Sequence, residues 1–151
     1  MAAVAVLVAT PLAGASGHRF VSDNVFRVPL LRGWSGSVAF GGGPPGPPPA
    51  WMEVGNFFFP SNYASTHEGA PSVPPRRVLI SFLDFQAVGV SLHWQRVTRL
   101  RLPRQTSVKR LVSWRVRFNG RALVLYVRFG SVPDAHTRAL ANAVLASVTP
   151  V

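Results

Sequence analysis

The sequence predicts an α+β domain, an antiparallel sheet of about five or six strands with a C-terminal helix packed on one face. Three stretches carry that expectation. Asn119-Gly120 separates two alternating apolar segments, Ser113 to Phe118 and Arg121 to Phe129. Val78 to Phe85 (VLISFLDF) is β-rich and apolar on both faces apart from Ser81 and Asp84. Apolar residues at Leu140, Ala141, Val144, Leu145 and Val148 then recur at helical spacing.

The chain has 151 residues, enough for one domain with its own core, and its 48% hydrophobic content excludes global disorder. Cysteine is absent, which removes disulfides and thiolate metal sites. Charge is the outlier: 16 basic residues face five acids, for a formal +11, and Lys109 is the one lysine. Arginine suits phosphate and carboxylate recognition because its guanidinium is a rigid planar fork. GC-rich coding also raises Arg together with Ala, Gly, Pro and Val. It accounts for the Arg:Lys ratio but not for the scarcity of acids.

Met1 to Gly17 (MAAVAVLVATPLAGASG) is uncharged and apolar, and Ala13-Gly14-Ala15 is the small-x-small triplet that a signal peptidase accepts. Residues 1–15 therefore read as a signal-peptide-like segment ahead of a single domain over 16–151, and the expected location is exported, secreted or at the cell envelope. A positive n-region is missing, and the alternation of Val4, Val6 and Val8 also suits a buried first strand. The run is shorter than the roughly 20 apolar residues that span a bilayer. The alternative location is the cytoplasm.

Val25 to Val28 and Trp34 to Phe40 read as two short strands joined through Pro29 and an Arg32-Gly33 turn. Residues 41–50 (GGGPPGPPPA) form a loop of polyproline character, since they lack donors and side chains for helix or central strand. The Pro44-x-x-Pro47 spacing matches SH3-type ligands, a reading that requires a cytoplasmic partner. Trp51 to Phe59 is a strand with Gly55-Asn56 as bulge or turn, Ser61 to Arg77 a loop, and Val88 to Leu102 a weaker strand.

Asn119-Gly120 predicts a two-residue type I′ turn, which sets Phe118 against Arg121, Val116 against Leu123 and Trp114 against Leu125. Trp114, Val116, Phe118, Leu123, Leu125, Val127 and Phe129 then share a core face. Arg115, Arg117, Ala122, Val124, Tyr126 and Arg128 share the other. Ser131-x-x-Asp134 has capping-box spacing for a helix from Pro133 or Asp134 to Val148, ended by Pro150.

Several short segments resemble a group of small exported proteins of high-GC bacteria that have no assigned function. They are Arg32-Gly33-Trp34-Ser35-Gly36, Gly55-Asn56-Phe57, Val78-Leu79-Ile80, Asn119-Gly120-Arg121 through Phe129-Gly130-Ser131, and Asn142-x-Val144-Leu145. A strand before Gly-Trp, a middle sheet and a terminal helix are also loosely similar to the PsbP-like α/β sandwich. The resemblance implies binding or scaffolding, and it transfers no functional residue.

Catalytic and metal motifs are not evident. Gly33-Trp34-Ser35-Gly36-Ser37 misses the second glycine of a nucleophile elbow at position 37. No two histidines stand at helical ligand spacing, and His67-Glu68 lies in a proline-bounded loop. Gly41-Gly42-Gly43 runs into prolines and cannot cradle a phosphate. No catalytic residue, cofactor or metal is expected. Asp84 stands out as a carboxylate in a core strand, which calls for a structural arginine partner.

From Arg96 to Arg128 there are ten basic residues and no acid. Arg115, Arg117, Tyr126 and Arg128 are thus the candidate anion-binding surface, with expected partners among anionic envelope polymers or lipid headgroups and no specific nucleic acid. The leading expectation is a non-enzymatic exported binding or accessory protein of the cell envelope. The alternatives are an intracellular basic nucleic-acid-binding module and, more weakly, a small hydrolase.

Overall fold

The computed structural model describes residues 19–23, 25–40, 50–59, 73–84, 94–104 and 109–151. In chain order the described elements are β1 (Phe20–Ser22), β2 (Phe26–Pro29), β3 (Ser35–Phe40), β4 (Ala50–Gly55), β5 (Val78–Asp84), β6 (Gln95–Val97), β7 (Leu111–Phe118), β8 (Arg121–Phe129), α1 (Ala135–Ser147) and β9 (Thr149–Pro150). The fold is α+β, as expected. One sheet has six strands in the order β3-β4-β5-β8-β7-β6, and a smaller one is ordered β1-β2-β9. The leader at 1–15 and residues 41–49 of the expected loop lie outside the described residues, as do His67-Glu68 and residues 88–93 of the expected Val88 to Leu102 strand, while Ala50 opens β4 instead of closing the loop. No described helix is long and apolar enough to cross a membrane.

β5 sits inside the large sheet because its seven residues are all buried, so both of its faces need cover. On the first face Val78, Ile80 and Phe82 join Met52, Val54, Leu123, Leu125, Val127 and Phe129 in the main core. α1 and β2 cover that face: Ala141, Val144, Leu145 and Val148 from the helix, and Phe26 and Val28 from the strand, belong to the same cluster. Phe26 meets Phe118 with ring centroids 5.7 Å apart.

The β7–β8 hairpin has the expected register, Trp114 against Leu125 and Phe118 against Arg121. Its turn residues Asn119 (φ 47°) and Gly120 (φ 78°) both adopt the positive φ that a type I′ turn demands. Trp114 is half-buried against the main core.

Four features differ from expectation. The large sheet is not wholly antiparallel, because β6 runs parallel to β7. Only Gln95–Val97 of the Val88 to Leu102 segment is a described strand, and Leu100 and Leu102 instead insert into the main core from the chain that follows it. There the Leu102 amide donates to Asn142 Oδ1 on α1 at 2.8 Å. The helix is capped by Asp134 itself, whose Oδ1 accepts from the Thr137 amide and hydroxyl, each at 2.7 Å. Ser131 Oγ instead accepts from the Arg76 amide at 3.1 Å. Past the helix, Thr149–Pro150 does not merely stop the chain but pairs with β2, and Pro150 at a sheet edge needs no N–H.

Candidate functional site

The candidate site lies on the second face of the six-stranded sheet, opposite α1. Residues aligned across neighbouring strands share a face, so the registers arrange this surface in rows. Ser37, Glu53, Ser81, Tyr126 and Ser113 lie side by side on β3, β4, β5, β8 and β7. The next row toward the hairpin turn holds Trp51, Leu83, Val124 and Arg115. Beyond it come Ala122, Arg117 and Arg96. In the other direction Gly55, Leu79, Arg128 and Leu111 form a row.

This face is only partly a charged surface. Ala122 and Val124 are buried with Trp51, Leu83 and Trp94 in a second apolar cluster. Tyr126 packs on that cluster, its ring stacked with Trp51 at 6.2 Å between centroids and 17° between planes. The expected open basic-aromatic plane is therefore reduced: two of the four β8 residues assigned to it, Ala122 and Val124, are buried, and Tyr126 is half-buried.

The structure also divides the four predicted residues. Arg115 and Arg117 are exposed neighbours, two positions apart on β7 and about 7 Å along the strand. Arg128 is half-buried, beside Leu111 and Leu79, roughly 14 Å along the hairpin from Arg115. In its place the parallel β6–β7 register brings exposed Arg96 directly beside Arg117, about 4.8 Å away strand to strand. None of the Arg96, Arg115 and Arg117 side chains has a hydrogen bond or ion pair among the described residues. Two unit charges about 6 Å apart repel by roughly 0.7 kcal/mol in bulk water, and by more beside a low-dielectric surface. The fold carries that repulsion without a compensating carboxylate.

The described acids are engaged elsewhere. Asp23 Oδ1 accepts from the Val25 and Phe26 amides at 2.9 and 2.7 Å, and Asp134 caps α1. The Thr137 amide and hydroxyl hold the Asp134 carboxyl below the usual carboxylate range. Asp84 is buried at the end of β5 and has the arginine partner expected for it: Arg121 donates through Nε at 2.9 Å and through Nη2. Glu53, also buried, accepts from Ser81 Oγ at 2.8 Å.

Sequence reasoning missed Glu53, Trp94 and the placement of Arg96. Glu53 was legible in principle, since it shares strand parity with Trp51 in an otherwise apolar segment. Arg96 carried no local signal, because its position depends on a non-local parallel pairing. Ser37 Oγ and Trp94 Nε1 are buried without hydrogen-bond partners among the described residues. Among the described residues no three His, Asp or Glu converge as metal ligands. The one described histidine, His136, is exposed on α1.

No protein-family model, curated protein or solved structure matches this chain.

Proposed function

We propose that the protein is an exported, non-catalytic binding domain of the cell envelope that holds anionic polymers or lipid headgroups on Arg96, Arg115 and Arg117. The observation that carries this reading is the β6–β7 register, which sets three exposed arginines side by side with no acid among the described residues bound to them. A ligand with repeated negative charge relieves their mutual repulsion and gains charge-assisted hydrogen bonds from three planar forks. The apolar N-terminal segment ending in Ala13-Gly14-Ala15 and the resemblance to small exported proteins support the compartment.

Binding of this kind is electrostatic. Its affinity falls steeply as salt rises, and it does not read sequence, because a short sheet edge offers no element shaped to enter a nucleic-acid groove. The test is a titration against heparin, anionic vesicles and duplex DNA at two salt concentrations. Salt-sensitive binding to heparin or vesicles that weakens in Arg115→Gln supports the reading. Salt-resistant binding to one DNA sequence would replace it with the intracellular nucleic-acid alternative.

A further inference from the structure

We infer that the outer edge of β7 accepts an extended acidic polypeptide segment as an added strand, with Arg96, Arg115 and Arg117 pairing its carboxylates. β7 is eight residues long, but β6 covers only its last three, Val116 to Phe118. The phase of the ladder is set where the Phe129 amide donates to the Arg110 carbonyl at 2.7 Å. Alternation from that pair gives Val112 and Trp114 the bonds to β8 and turns the N–H and C=O groups of Leu111 and Ser113 outward. Both residues are exposed, and neither forms a further hydrogen bond among the described residues.

An edge left open among the described residues is a template for strand addition, in which backbone bonds supply affinity and flanking side chains choose the partner. Here the flanks are cationic. Exposed Arg115, Arg117 and Arg96 stand at one end, and exposed Lys109 and Arg110 at the other. A second copy of the chain would bring the same charges against themselves, so charge disfavours edge-to-edge pairing of two copies. An acidic strand satisfies the outward backbone groups and the guanidiniums together.

The inference rests on the anion-binding reading of these arginines, and its test separates the two. The probes are a short synthetic peptide alternating glutamate and valine, an analogue N-methylated along one edge, and heparin. The unmodified peptide is expected to bind and to slow hydrogen exchange at the Leu111 and Ser113 amides. The N-methylated peptide should bind about tenfold or more weakly, since it cannot complete the ladder. Ser113→Pro removes an outward donor while sparing the β8 ladder, so it should weaken the peptide and leave heparin unchanged. Heparin binding with equal affinity for the two peptides, or with no peptide binding, overturns strand addition and leaves the anion site standing. Failure of heparin and both peptides overturns both.

Discussion

Arg96 lies directly beside Arg117 across the parallel β6–β7 pair, two cations on neighbouring strands of one sheet edge. Directly opposed like charges weaken a sheet by a few tenths of a kcal/mol to about 1 kcal/mol. The arrangement is thus a cost to the folded state that an anionic partner would remove.

Arg117→Glu should therefore act in opposite directions on stability and on binding. Exchanging repulsion for attraction beside Arg96 is expected to stabilise the fold by about 0.5 kcal/mol, read as a rise in the denaturation midpoint at low salt. The same variant should bind heparin more weakly. A loss of stability together with unchanged binding would make the arginine an ordinary structural residue.

The Asp84–Arg121 pair ties the end of β5 to the β8 side of the hairpin turn. Asp84 is buried, whereas the Arg121 side chain is 36% exposed, so solvent screens part of the interaction. Asp84→Asn is expected to cost about 1–2 kcal/mol. In a double-mutant cycle with Arg121→Gln the losses should be non-additive, because the two residues share one interaction. Full additivity in urea melts would contradict the pairing.

Gly130 is required by close approach rather than by φ. A Cβ at this position would stand 1.8 Å from the Pro74 carbonyl oxygen, and the Gly130 amide donates to the Arg77 carbonyl at 3.0 Å. Gly130→Ala must push the Pro74 to Arg77 turn off the sheet, at a cost of about 3 kcal/mol. A chemical-denaturation change under about 0.5 kcal/mol would show that the turn gives way freely.

Asp134 makes the α1 cap sensitive to acid. Its carboxyl titrates below the usual carboxylate range because the Thr137 amide and hydroxyl bind the ionised form. A lowered folded-state pKa means that the cap's stabilisation is complete above the unfolded-state value near 3.8 and disappears as pH falls through the lower folded-state value. Asp134→Asn keeps an acceptor at the cap but no longer titrates. It should flatten the fall in Tm below about pH 4, while a variant curve parallel to wild type would rule out this linkage.

Much of the frame was legible because its signals are local. Asn119-Gly120 admits few turn geometries, and the helical stripe from Leu140 to Val148 faces the core as its spacing predicts. The uninterrupted run Ala122 to Val127 also held a signal, since a strand buried on both faces reads as continuously apolar. Strand alternation alone gives one buried and one open face there, which overstates the basic plane around Tyr126. Thr149–Pro150 was not legible as a strand, being two residues long and paired with β2 from the far end of the chain. The candidate site was legible only in part. Arg115 and Arg117 follow from strand alternation, but Arg96 joins them through a three-residue parallel pairing that no local pattern announces. Of the two buried acids in the large sheet, Asp84 stands out as a break in an apolar run, while Glu53 lies mid-strand on β4 between Ser37 and Ser81.

The most direct measurement compares heparin affinity at physiological salt for two triple variants of equal charge. One replaces Arg96, Arg115 and Arg117 with Gln, and the other replaces exposed Arg19, Arg76 and Arg104, which stand on three separate segments of the chain, with Gln. Screening limits exposed charges to a reach of about 8 Å at that ionic strength, so adjacent cations act together and scattered ones do not. The account predicts that the first triple loses most of the binding and that its salt slope falls by roughly one per arginine, while the second stays close to wild type. Equal losses in the two triples would contradict it and leave net charge alone as the cause.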